Sequence, residues 1–147
     1  MTLELKIGNI ELSEVNRLGA NAWKFIVSIG ENKETLLFYA GVVPHNLGDG
    51  GKFYHSQVAA KNKVRAEDIL GGGYINYFKS GNLKLDNLSG DFGCVPNKIV
   101  EAFLPLVLPT FKSKYDIKST EVKMHIPDDP ESIDLENKKW NRFGYNF

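Results

Sequence analysis

Leu88-Ser89-Gly90-Asp91-Phe92-Gly93-Cys94-Val95-Pro96 joins a strand-like run, Asn82 to Leu88, to a helix-like run, Pro96 to Phe103. Two glycines sit in the joint, and each lets the backbone turn without a Cβ clash. Successive N–H groups at such a joint, ahead of a helix, form a concave anion site. Ser89 adds a hydroxyl. Two readings stand on these residues alone: a phosphate cradle, and a tight turn between two packed elements.

Upstream of the joint, Leu83, Leu85 and Leu88 build the entering strand, and Ser80-Gly81-Asn82 is a turn. Tyr74 to Phe78 reads as the preceding strand, led in by Gly71-Gly72-Gly73. Phe53 to Arg65 reads as a helix, with His55 near its start and small Ala59, Ala60 and Ala66 for close packing. Further back, Thr35 to Val43 is rich in strand formers. Gly30-Glu31-Asn32-Lys33 is a four-residue hairpin loop. Trp23 to Ile29 alternates, with Phe25, Val27 and Ile29 on one face and Lys24, Ile26 and Ser28 on the other. Asn16 to Asn21 is turn-like. Leu3, Leu5 and Ile7 alternate with polar neighbours, as an edge hairpin or extended arm would.

Downstream, Pro96 suits the first turn of a helix, where a missing N–H costs nothing. Ile99, Val100, Phe103, Leu104 and Val107 form a core-facing stripe. Pro105 and Pro109 are expected to kink or end that helix. Glu121 to Ile126 is a last strand. Asp128 to Phe147 opens acidic and closes with Trp140, Phe143, Tyr145 and Phe147. That aromatic density points to an extension, residues 127–147, docked on the domain of residues 1–126 or on a partner. Strands broken by two main helices give a single α+β domain with a mixed sheet of about six strands.

The chain has 147 residues, the size of one domain, and 42% of them are apolar. Lys plus Arg and Asp plus Glu balance at 18 each. A neutral total lacks the electrostatic footprint of a nucleic-acid or anionic-membrane partner, although a small basic pocket remains compatible with it. One cysteine, Cys94, forms no internal disulfide, which fits a reducing compartment. Met1 to Ile10 has no apolar signal-peptide core, so a cytoplasmic location is the expectation.

Three histidines are candidates for chemistry. His45 lies in the glycine-rich loop Pro44 to Gly51 with Asp49, His55 at a helix start, and His125 in a strand. None has close metal-ligand spacing with another or with Cys94, so no metal site is expected. Ser89 is not in a Gly-x-Ser-x-Gly elbow. The triple glycine continues neither as a P-loop nor as a dinucleotide fingerprint. His55 is the most useful group. A neutral imidazole attacks phosphorus, or takes a proton from water, at ordinary pH. Its plain alternative is a surface histidine at a helix start. Lys24 is either a point cation for a phosphoryl group or a solvent-facing strand lysine. Asp91 is either a helix cap or a second acid/base group.

The order of these pieces resembles the protein histidine phosphatase (Janus/Ocnus) family, from about Ile10 to Ile126. Trp23-Lys24-Phe25-Ile26-Val27 is similar to that family's early strand, where a lysine binds phosphate. Phe53-Tyr54-His55-Ser56 is similar to its Tyr-His pair. Leu70-Gly71-Gly72-Gly73 and Ser89-Gly90-Asp91-Phe92-Gly93 are similar to its glycine strand and phosphate loop. The resemblance implies a histidine-phosphatase-like fold and a phosphoanion pocket. Lys24, Ser89, Gly90 and Asp91 would bind the substrate, with His55 as general base or nucleophile, and no metal or cofactor. A phosphorylated protein or a small phosphoanion would be the partner. Three positions depart from the pattern. Tyr74 stands where the family has arginine. Leu47 or a neighbour stands at its other basic position, and Asp91 replaces a small residue. A non-catalytic binding or interaction module on the same fold is the alternative these departures support.

Overall fold

The computed structural model describes residues 3–12, 20–42, 55–87, 89, 92–126 and 129–145. Its six strands are β1 (Glu4–Ile10), β2 (Ala20–Ile29), β3 (Thr35–Val42), β4 (Ile69–Phe78), β5 (Asn82–Asp86) and β6 (Ser119–Lys123). Its helices are α1 (His55–Lys61), α2 (Asn97–Lys112) and α3 (Pro130–Asn141), with a 3-10 turn at Ala66–Asp68. The strands form one mixed sheet in the order β1-β3-β2-β4-β5-β6. The neighbours from β3 to β5 are antiparallel, while β1 lies parallel to β3 and β6 parallel to β5. The fold is therefore a single α+β domain, with three helices among the described residues where two main ones were expected.

Alternation along β2 assigns the two faces. Trp23, Phe25, Val27 and Ile29 join Leu36, Phe38 and Ala40 of β3 in the main core, where Phe25 stacks on Phe38 at 4.8 Å. α2 closes that core with Ile99, Val100, Phe103, Val107 and Phe111. On the opposite face, Ile26 and Ile69 pack with Val58 and Ala59 of α1 in a smaller cluster.

Several elements differ from their sequence reading. β1 is extended and at the sheet edge, as one of its two readings had it, but it pairs in parallel with β3 and forms no hairpin among the described residues. α1 ends at Lys61, well before Arg65, because Lys63 adopts φ 58° and its N–H turns back to the Ala60 carbonyl. α2 continues past both Pro105 and Pro109 to Lys112, so neither proline ends it. Both rings lie on its exposed side, while the apolar stripe is held by the core from the other side. The last strand is Ser119–Lys123, so His125 lies beyond its end. The extension contains a helix: Asp129 caps it by accepting the Ser132 N–H at 2.8 Å, and Pro130 fills the first turn. Trp140 of that helix is fully buried in the main core. No helix among the described residues is long and apolar enough to cross a membrane.

The triple glycine lies inside β4 rather than ahead of it, and close approach explains it. A Cβ on Gly71 would stand 2.7 Å from the Cys94 carbonyl oxygen. One on Gly73 would collide with the Asp86 carbonyl oxygen and the Phe25 ring. Neighbouring backbone thus lies directly against this strand.

Candidate active site

The site is built on the α1 face of β2 and β4. Lys24 and Tyr74 are cross-strand partners. The Lys24 ammonium lies 5.3 Å from the centre of the Tyr74 ring. The His55 ring meets that tyrosine edge-on, 5.2 Å between centres. Tyr74 therefore stands between the lysine and the histidine. Next along the strand, a Cβ on Gly72 would be 3.0 Å from His55 Cδ2 and 3.3 Å from Ser89 Cβ. The missing side chain is what lets histidine and serine meet over β4.

His55 is buried, and its Nε2 lies 2.8 Å from the Gly73 carbonyl oxygen. A carbonyl only accepts, so Nε2 carries the hydrogen and donates it. In the neutral ring Nδ1 is then the nitrogen with the lone pair. The contact also fixes the ring plane, and the carbonyl dipole stabilises positive charge on the imidazole. Asp86 contributes a carboxylate nearby, whose Oδ1 accepts the Tyr74 N–H at 2.9 Å.

The joint behaves in part as a turn. The Phe92 N–H donates to Ser89 Oγ at 3.2 Å, and the Gly93 N–H to the Ser89 carbonyl at 3.1 Å. The Val95 N–H donates to the Asn87 carbonyl at 3.2 Å. Three amides that follow the expected Ser89–Asp91 cradle are thus bonded inside the loop. Gly90 and Asp91 lie outside the described residues, as do Leu47, Tyr54, Leu88, His45 and Asp49. Among the sequence-derived candidates, Lys24, His55 and Ser89 are brought to one place. His125 is not shown to join them: its backbone N–H is held by Asn87 Oδ1 at 2.6 Å, and its carbonyl by Asn87 Nδ2 at 2.9 Å.

Three residues that shape the loop, Asn87, Glu136 and Lys139, escaped the sequence reading, and a fourth, Trp140, was read only as part of the aromatic tail. Buried Asn87 also donates to the Val95 carbonyl at 2.8 Å, so one amide ties the loop to the segment after β6. α3 clasps the loop from outside. Lys139 Nζ donates to the Phe92 carbonyl at 3.1 Å, and Trp140 Nε1 to the Cys94 carbonyl at 3.2 Å. The Glu136 carboxylate occupies the space a side chain on Gly93, at φ 83°, would need. Its Oε2 is 2.9 Å from Lys139 Nζ, an ion pair set off-angle for a hydrogen bond. Burial, followed by the charge of Glu136, pushes the Cys94 thiol above its ordinary range, with Lys139 acting in the opposite sense. The aromatic density of the tail was the one signal for this clasp; Glu136 and Lys139 gave none.

Among the described residues, no group of three or more His, Cys, Asp or Glu side chains is placed to hold a metal ion. No family model matches the chain, and no curated protein sequence matches it.

Proposed function

We propose that this site handles a phosphoanion, as a phosphohydrolase of the histidine-phosphatase-like type, with His55 as its reactive group. The observation that carries the reading is the bond from Nε2–H to the Gly73 carbonyl, which fixes the ring beside Tyr74 and Gly72 and makes Nδ1 the basic nitrogen of the neutral ring. Nδ1 either takes the proton of a water attacking phosphorus, as the bond from phosphorus to the leaving group breaks and that group then receives the proton, or attacks phosphorus itself. In the second route a P–N bond forms as the bond from phosphorus to the leaving group breaks. Water then cleaves the P–N bond, and the imidazole is restored. In both routes the ring becomes cationic, and the Gly73 carbonyl steadies that charge. Lys24 offsets phosphoryl charge as a point cation. The substrate is a phosphorylated protein or a small phosphorylated molecule.

The test is hydrolysis of phosphoramidate and of a simple phosphomonoester by the wild type and by His55→Ala. The substitution is expected to lower the rate on the order of 10²–10⁴-fold, with the unfolding midpoint measured alongside to show that the variant is folded. Equal rates in a folded variant remove His55 from the mechanism.

A second reading, a binding or interaction module without turnover, is favoured by Tyr74 at the position of the family's arginine, beside Lys24 and His55. It predicts that inorganic phosphate shifts the amide resonances of Gly72 and Ser89 while neither substrate is hydrolysed.

A further inference from the structure

A second concavity lies on the same face of the sheet, at the other end of α1. α1 has seven residues, so the two places are separated by about 10 Å of helix. The cleft has a volume of ≈ 360 Å³ and is bounded by the β2–β3 hairpin loop and the turn after α1. Leu37, Tyr39 and Val64 give it apolar walls, and Ser28 and Asn62 give it polar ones. Pockets from about 300 Å³ upward hold small organic ligands.

Its charged groups are unusual in their backbone. Lys33 has φ 62° and Lys63 has φ 58°. They are the two non-glycine residues with left-handed φ among the described residues, and both line this cleft. Each sits where a turn favours glycine. Lys33 closes the hairpin loop, its N–H on the Gly30 carbonyl at 3.0 Å. Lys63 follows the end of α1 in a Schellman turn, its N–H on the Ala60 carbonyl at 3.2 Å and the Val64 N–H on the Ala59 carbonyl at 2.9 Å. A side chain at such a position strains the backbone, and such strain gathers at working sites.

The other charges leave these lysines in excess. Arg65 Nε is shared between Asp68 at 3.2 Å and Glu67 at 3.3 Å. Glu31 also lines the cleft. Among the described residues neither lysine is ion-paired, nor is Glu31. Two unpaired cations and one unpaired carboxylate therefore line the cleft together with its apolar walls.

We propose that this cleft binds a small organic phosphate or phosphonate, its dianionic head between Lys33 and Lys63 and its apolar body against Leu37, Tyr39 and Val64. The site is independent of the chemistry proposed for His55.

The probe is phenylphosphonate, which a phosphohydrolase cannot turn over, titrated into the full chain while amide resonances are followed. Saturable shifts are expected at Lys33, Lys63 and Val64, separate from any at Gly72 and Ser89, which would report the His55 site. The double variant Lys33→Gly, Lys63→Gly should weaken binding on the order of tenfold or more. Its unfolding midpoint should not fall, because glycine takes the left-handed backbone without strain. Lys33→Asn with Lys63→Asn tolerates the same backbone and should weaken binding alike. Glu31→Gln should tighten it. Shifts that bypass the cleft, persist undiminished in both double variants, or follow equally from uncharged phenol would overturn the proposal.

Discussion

Gly73 has no space for even a methyl group, since the Asp86 carbonyl and the Phe25 ring already occupy it. Both obstacles are a backbone atom or a buried ring, so neither yields cheaply. Gly73→Ala should lose about 1–3 kcal/mol of stability, read by denaturant unfolding, and should disturb His55 through the carbonyl that anchors it. Cys94 supplies a pH signature. Burial holds its thiol above the unfolded value, so the folded chain keeps the proton longer. Stability should therefore fall as pH rises past about 8.5, the ordinary thiol value. The raised phenol of half-buried Tyr39 adds a decline of the same sign at higher pH, above about 10. Thermal midpoints across that range should decline less steeply in Cys94→Ala. An identical slope would show that Cys94 does not contribute.

At the scale of elements, α3 begins on a cap with its own titration. Asp129 accepts both the N–H and the hydroxyl of Ser132, and these bonds hold its carboxyl below the ordinary range. Its contribution is present above the unfolded value, about 3.9, and is lost as pH falls through the lower folded one. The thermal midpoint should drop less on acidification in Asp129→Asn than in the wild type. The cap was legible: Asp129-Pro130-Glu131-Ser132 is a helix-start pattern that a reading fixed on the aromatics passed over. β2 was legible too, because Phe25, Val27 and Ile29 alternate with Lys24, Ile26 and Ser28, and period two admits one pair of faces. The partner of β1 was not, since alternation marks a face and never a neighbour. Pro105 and Pro109 misled because their local cost was weighed without the five buried side chains that hold α2 together. Of the site, His55 and Ser89 could be singled out by residue type. Their meeting over Gly72 depends on long-range packing, and so does the clasp by Glu136 and Lys139.

On the scale of the whole molecule, Trp140 ties the main core to the candidate loop. Trp140 fills the core beside Phe143 and donates to the Cys94 carbonyl. Trp140→Ala should cost about 3–5 kcal/mol, as large buried aromatics do. If the clasp positions the loop, resonances of Phe92 and Gly93 should broaden or shift while those of β2 and β3 stay in place. Uniform change across the chain would instead mark Trp140 as a core residue alone.

The strand order also sets where the sheet opens first. β2 and β4 lie in its middle, each bonded along both sides. β1 and β6, parallel to their hosts, are the outer strands of the sheet among the described residues, each bonded along one side. An outer strand has fewer bonds to lose, so its amides exchange ahead of those in the middle. The strands that carry Lys24 and Gly72, lodged in the interior of the sheet, keep their shape while the borders breathe.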